Sequence, residues 1–469
     1  MKLKSIFTNS FGILFSRVTG LGRDVLMASV LGASFWSDMF FVAFKLPNLF
    51  RRIFAEGAFT QAFMPSFVAS RQKGVLATAI FLRFLLFIFT LSLFITIFPE
   101  LITKALAIGW DADTIALIAP MTAINFWYLD LIFIVTFLAT LLQYKEHFAT
   151  TAISTSLLNL SMISALFIFM HDDPKTVAYG LSFAVIFGGF LQVLVHLVAF
   201  KKFKLHKLLL GGWKYRKSRD IQKEKKAFNR LFVPAIWGNS TPQISAFIDT
   251  MIATFLMTGS VSYLFYANRI FQLPLAVIAI ATATALFPSI SKAMKNKEEE
   301  KVYANLGKAF WLLAFLLGFA MIGGILLAEP IVWILFERGK FTQIQTLETT
   351  WVLIMYMLGL LPFGLAKLFS MFLYASHKHL KAAKISFISL IVSVSFSLIL
   401  MRSMGASGLA LAGSIGGWVL FILTIKEVGA QKFWQIIKSK KSLYFILSLI
   451  LFAFVLESLN IFILSYIRN

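Results

Sequence analysis

Six cations stand where an apolar helix would ordinarily carry none: Arg17, Arg23, Lys45, Arg51, Arg52 and Arg269. Asp24, Asp38 and Glu56 accompany them, which leaves the group with three surplus positive charges. Arg17 and Asp24 are seven residues apart, as are Lys45 and Arg52, and Arg52 and Glu56 are four apart. Such spacings place partners on one helix face, although Pro47 can kink the second helix and rotate what precedes it. Buried ion pairs that fix helix register would account for Arg52 with Glu56 but not for the surplus. A cation at mid-bilayer costs roughly 2.5 to 3.5 kcal/mol on insertion scales, so several together imply a wet or paired cavity. Unmatched guanidinium charge in such a cavity calls for an anion, and the planar arginine fork suits phosphate.

The elements that must position these residues are membrane helices. The 469 residues are 59% hydrophobic and 14% charged, with a mean hydropathy of +0.82, which excludes an ordinary soluble protein. There is no cysteine, hence no disulfide framework, thiolate metal site or cysteine nucleophile. Thirteen apolar runs are long enough to span a bilayer, near 7–31, 36–68, 76–98, 114–142, 148–170, 176–200, 228–257, 262–291, 309–328, 346–374, 385–401, 407–425 and 443–467. Arg17, Arg23 and Asp24 interrupt the first, and no small-residue cleavage site follows it, so it reads as a retained helix.

With the N-terminus cytoplasmic, inside segments hold 29 Lys and Arg against six outside, as the positive-inside rule requires. This asymmetry explains most of the formal charge of +23 without nucleic acid. Arg83 and Arg230, near span ends, can snorkel to the headgroups. The 52 Phe and 10 Trp read chiefly as lipid-facing bulk and interface anchors. Asp130 fits an interfacial residue and a relay equally well.

The segment from Asp24 to Ser66 recurs weakly from Asp249 to Ser289. Asp24 with Ala28 matches Asp249 with Ala253, Leu46-Pro47 matches Leu273-Pro274, and Met64-Pro65-Ser66 matches Phe287-Pro288-Ser289. Six spans separate the copies, so both run in the same direction. The expected architecture is therefore an all-α polytopic membrane protein of two six-helix lobes in parallel pseudo-repeat. Residues 1–200 form the N-terminal lobe, 201–227 a basic cytoplasmic connector, 228–428 the C-terminal lobe, and 429–469 a cytoplasmic loop and an extra thirteenth span. Gly12, Gly20, Gly22 and Gly32 would let the first span bend and approach its neighbours, while Pro47 and Gly57 break the second. Broken helices around a charged midplane site are a transporter signature.

A membrane enzyme would need carboxylates or histidines gathered near the interface. The six histidines, His147, His171, His196, His206, His377 and His379, lie near span ends, and Asp172-Asp173 is an isolated pair. No catalytic constellation, metal site or cofactor site emerges, and no filter-like repeat suggests a channel.

The stretches "FSRVTGLGRD" (15–24), "SDMFFVAFKLPNLFRRIFAEGAFTQAFMPSF" (37–67), "YANRIFQLP" (266–274), "LFPSISK" (286–292) and "FERGKFT" (336–342) resemble the MurJ (MviN) lipid II flippases. These belong to the multidrug/oligosaccharidyl-lipid/polysaccharide exporter superfamily. The resemblance implies a transporter in the bacterial inner membrane. It would move undecaprenyl-pyrophosphate-linked disaccharide-pentapeptide from the cytoplasmic to the periplasmic leaflet by alternating access. It also implies that Arg17, Arg23, Asp24, Arg51, Arg52, Glu56 and Arg269 line a central cavity, with Arg23, Asp24 and Arg269 closest to the pyrophosphate. Asp38 and Lys45 join this set by their place in the same charged group.

Three departures stand out. Asn268 replaces an aspartate that often precedes the arginine of the eighth span. Asp249 is kept as a candidate ion or relay site, but span eleven offers only Ser393, Ser395 and Ser397 where some members carry sodium-binding Asn and Asp. Thirteen spans rather than the common fourteen would put the C-terminus in the periplasm. A flippase for another polyprenyl-pyrophosphate-linked glycan, or a drug exporter, is the alternative; drug exporters more often carry acidic cavities.

Overall fold

The computed structural model describes residues 3–51, 58–216, 220–296, 298–376 and 378–468, and side chains over those ranges except 3–11, 13, 237–243, 280, 284 and 466–468. Every regular element among the described residues is helical. The chain divides into two compact units, Met1–Phe255 and Leu256–Asn469.

The first unit contains α1 (Leu3–Leu31), α2 (Phe35–Phe50), α3 (Thr60–Ala69), α4 (Lys73–Ile97), α5 (Pro99–Leu106), α6 (Ala112–Phe126), α7 (Tyr128–Tyr144), α8 (Ala149–Phe169), α9 (Pro174–Lys202), α10 (His206–Tyr215) and α11 (Gln222–Ala253). The turn from α1 to α2 is set by Gly32, in the left-handed region at φ +66°. Ser34 and Ser37 then cap α2 reciprocally, and Asp38 sits in its first turn. α1 packs along α8. A Cβ on Gly12 would lie 2.7 Å from the Ala152 Cβ, so only glycine permits that approach. Phenylalanine also builds the core here. Phe59 of the α2–α3 connection stacks on Phe63 at 5.1 Å, meets Phe133 edge-on at 5.4 Å, and reaches Phe228 of α11 at 6.2 Å. α11 packs against α2, α3 and α4 and so falls within the first compact unit.

The second unit contains α12 (Ser260–Pro274), a π-helical turn (Leu275–Ile280), α13 (Ala281–Lys295), α14 (Glu299–Leu326), α15 (Ala328–Phe336), α16 (Gln343–Met357), α17 (Leu360–Ala375), α18 (His379–Val428), α19 (Ala430–Ile437) and α20 (Lys440–Arg468). α20, the expected thirteenth span, packs on α14, where Phe445 meets Phe315 edge-on at 5.3 Å. Near the start and end of α18, Glu427 binds Lys378 at 3.0 Å and Lys381 at 2.6 Å.

All thirteen expected spans fall on these helices, the second in its described part alone, since residues 52–57 lie outside the described residues; nine helical stretches among the described residues are long and apolar enough to cross a bilayer. The difference has physical sources. α18 joins two expected spans through Gly405, at φ +56° and ψ −132°. α1 carries Arg17, Arg23 and Asp24; α2 and α3 are each short; α11 runs through the polar residues Asn239, Ser240, Thr241 and Gln243. The short helices α5, α10, α15 and α19 were not expected, because none is long enough to register as a span. The repeat has a structural echo: Pro47 and Pro274 each precede π-helical backbone, at Arg51 in the first unit and at Leu275–Ile280 in the second.

Candidate functional site

Two arginines of α1 are in different states. Arg23 and Asp24 are both buried, 7% and 2% exposed. Arg23 donates to Asp24 Oδ1 through Nε at 3.0 Å and Nη2 at 2.6 Å. Its Nη1 donates to Asn159 Oδ1 at 3.1 Å and approaches the Met162 sulfur at 3.7 Å. Asn159, on α8, in turn donates to the Ser16 carbonyl at 3.0 Å and to Thr19 Oγ1 at 3.2 Å. A buried guanidinium is tolerated when its donors are filled, and here one carboxylate and one neutral amide fill them.

Arg17 lies six residues earlier, exposed and without an ion pair among the described residues. It lines a cleft of about 360 Å³ formed by α1, the end of α7 and the start of α8. No carboxylate lines that cleft. Beside it, the connection between α7 and α8 holds His147, whose Nε2 lies 2.7 Å from Thr150 Oγ1. Burial and then the charge of Lys202 lower the His147 pKa from the ordinary histidine value.

On α2, Asp38 is buried at 4% exposure and Lys45 is half-buried. The charge of Lys45 acts on Asp249 of α11, whose Oδ1 is buried without a hydrogen-bond partner. Arg51 is half-buried in π-helical backbone. Arg52, Glu56 and Gly57 lie outside the described residues. In the second unit, the Arg269 guanidinium stands 4.8 Å from the centroid of the Phe265 ring, a cation–π contact. The preceding Asn268 accepts a hydrogen bond from Gln272. Asp130 is buried within the first unit, and Ser92 donates to its Oδ2 at 2.5 Å.

The structure thus brings Arg23 together with Asp24, and places Asp249 in the field of Lys45. Sequence reasoning missed Asn159. Its signal was a lone amide in the apolar run 148–170, since an amide in hydrocarbon must find partners. Among the described residues no group of three or more His, Asp or Glu side chains could hold a metal.

The family model described as lipid II flippase MurJ matches residues 27–468. The chain belongs to the MurJ family. A probable lipid II flippase MurJ of Helicobacter pylori is 50% identical over 435 residues, covering 90% of this chain and 94% of that protein. Another, from Buchnera aphidicola subsp. Acyrthosiphon pisum, is 31% identical over 443 residues, covering 92% and 84%. Among solved structures, a lipid II flippase MurJ in an inward closed conformation superposes with a TM-score of 0.78 at 26% identity, over 98% of this chain and 99% of that one. An inward-facing MATE family multidrug transporter of the MOP superfamily gives 0.70 over 92% and 98% at 14% identity, a likeness of fold alone. MurJ membership makes the chain a multi-pass protein of the bacterial inner membrane and a transporter rather than an enzyme.

Proposed function

We propose that this chain moves lipid II from the cytoplasmic to the periplasmic leaflet, by alternating access of two repeat-related lobes, 1–200 and 228–428. The physical task is to carry a dianionic, sugar-bearing headgroup through hydrocarbon while its polyprenyl tail stays in lipid. A water-filled cationic chamber open sideways to the bilayer meets it. The observation that carries this reading is the surplus guanidinium charge on α1, where Arg17 has no ion pair among the described residues and Arg23 is held by one carboxylate and one neutral amide.

In this reading the substrate set is Arg17, Arg23, Asp24, Asp38, Lys45, Arg51, Arg52, Glu56 and Arg269, with Asp249 as an ion or relay site. Asp24 keeps Arg23 compensated until a pyrophosphate oxygen takes its place, so no bare cation is left in the bilayer between cycles. With the N-terminus in the cytoplasm, an inside-negative potential drives an anion outward at about 2.3 kcal/mol per charge per 100 mV. Two net charges gain roughly 4 to 5 kcal/mol at 100 mV, less if cavity cations move with them.

The test is a strain whose own flippase can be depleted, complemented by this chain or by its Arg23→Ala and Arg269→Ala variants, with lipid II exposed in the outer leaflet as the readout. The wild-type chain restores exposure and both variants lose it; normal exposure in the variants counts against capture by arginine. If depletion of this chain in its own cell leaves lipid II levels unchanged, the alternative stands: a flippase for another polyprenyl-pyrophosphate-linked glycan, or a drug exporter.

A further inference from the structure

The cleft beside Arg17 lies wholly within the first unit; Phe148 and Ala152 form its apolar wall, and its polar lining holds no acid. Ser16 and Arg17 come from α1, Gln143 from the end of α7, and Thr151 and Thr155 from the first two turns of α8. These supply one cation, one amide and three hydroxyls. Thr151 Oγ1 is buried with no hydrogen-bond partner, although a hydroxyl on a helix can usually satisfy itself on a carbonyl of the preceding turn. Thr151 and Arg17 line one cleft without acids, and an orphan donor and a cation together are what an anionic oxygen would complete.

The cleft is separate from the Arg23 group. Six residues at 1.5 Å per residue put Arg17 about 9 Å along α1 from Arg23. The donors of Arg23 are already taken by Asp24, Asn159 and Met162. An anion reaching Arg23 must displace Asp24, whereas one reaching Arg17 displaces no ion pair among the described residues. On the orientation given by the loop charges, Arg17 is also the nearer of the two to the cytoplasmic side.

We propose that this cleft is a receiving site for a lipid-borne phosphate group, in which Arg17, Thr151 and Gln143 hold the phosphate before it passes to the Arg23–Asp24–Asn159 group. The inference rests on the flippase reading above and adds an order of events to it. Thr151 and Gln143 enter as specificity residues: they donate hydrogen bonds without adding charge, so they favour a phosphate over diffuse negative potential.

The experiment uses the full chain in phosphatidylcholine nanodiscs, with undecaprenyl pyrophosphate as the probe and native mass spectrometry as the readout. Arg17→Gln is expected to weaken binding by about tenfold or more, and Thr151→Val and Gln143→Leu by severalfold. Removing a buried hydroxyl that has no partner relieves a cost, so Thr151→Val should melt at or above the wild-type temperature while binding less well. A purely structural role for Thr151 cannot produce that split. If Arg17→Gln fails to fold, Thr151→Val decides alone; wild-type binding by Thr151→Val overturns the proposal.

Two competitors fix the source of the phosphate. Inorganic pyrophosphate and phosphatidylglycerol should each displace the probe only at large excess. Equal competition by the first makes this a free-phosphate site, and by the second a general phospholipid headgroup site; either result overturns a receiving site for the polyprenyl lipid. Loss of lipid II exposure in Arg23→Ala with wild-type behaviour of all three cleft variants sinks the cleft alone. Normal exposure in Arg23→Ala sinks the flippase reading beneath it.

Discussion

Asn159 accepts a hydrogen bond from Arg23 Nη1 at 3.1 Å while its own amide donates to the α1 carbonyl of Ser16 at 3.0 Å. One side chain of α8 therefore holds both a buried guanidinium and the backbone of the helix that carries it. Replacing Asn159 with Leu leaves a buried charged donor without that acceptor, a loss of about 1.5 to 3 kcal/mol. Asn159→Asp restores the acceptor for Arg23 but not the donor to Ser16, and should recover part of that loss. Thermal unfolding in nanodiscs reads the series; a Leu variant that melts like wild type refutes the assignment.

The close approach of α1 to α8 depends on Gly12. A side chain there collides with Ala152 backbone and Cβ, so Gly12→Val should destabilise by about 1 to 3 kcal/mol through overpacking. Gly12→Ala, whose added Cβ already meets Ala152 at 2.7 Å, should cost less than Val but more than nothing. Melting temperatures that fall in the order Gly, Ala, Val are the expected result, and an unchanged Val variant is the adverse one.

Gly405 makes two spans out of one long helix. Its φ of +56° with ψ of −132° is open to glycine and strained for any L side chain, by about 1 to 3 kcal/mol. Gly405→Ala should lower the melting temperature although a Cβ there meets no atom within 4 Å, so the effect would be one of backbone strain and not of crowding. A wild-type melting curve for Gly405→Ala would show that the backbone can relax at no cost.

Asp173 caps α9 from outside the membrane, accepting hydrogen bonds from the Thr176 hydroxyl at 2.5 Å and from the backbone N–H groups of Thr176 and Lys175. These hold its carboxyl below the ordinary carboxylate value, the Thr176 hydroxyl contributing most. A group whose pKa is lower in the folded state stabilises fully above its unfolded pKa and loses that contribution as pH falls toward the folded one. Asp173→Ala should therefore be less stable than wild type at pH 7, and the two should converge as the pH drops below about 4. A difference that persists unchanged into acid argues against the cap.

The fold was largely legible because membrane helices announce themselves by length and polarity, and every expected span lies on a helix over its described residues. The break at Gly405 was legible too, since Arg402 separates the runs 385–401 and 407–425; what sequence could not show was where a phenylalanine turns inward, as Phe59 and Phe133 do. Within the site, the adjacency of Arg23 and Asp24 was visible as two letters. The seven-residue spacing of Arg17 and Asp24 placed them on one helix face, but it could not show that the Arg23 side chain turns back onto Asp24. Asn159 showed in the sequence only as a lone amide in an apolar run; which groups it holds was illegible, because they lie more than 130 residues away in the chain.

The claim that arginines of the membrane interior recognise the pyrophosphate is tested most directly by changing the substrate and leaving the protein intact. The full chain, reconstituted in proteoliposomes, is given lipid II or an analogue with the same disaccharide-pentapeptide and polyprenyl tail joined by an uncharged linker, and transfer between leaflets is followed. Lipid II should cross and the neutral analogue should be neither bound nor moved. Transfer of the analogue at the rate of lipid II would contradict the account.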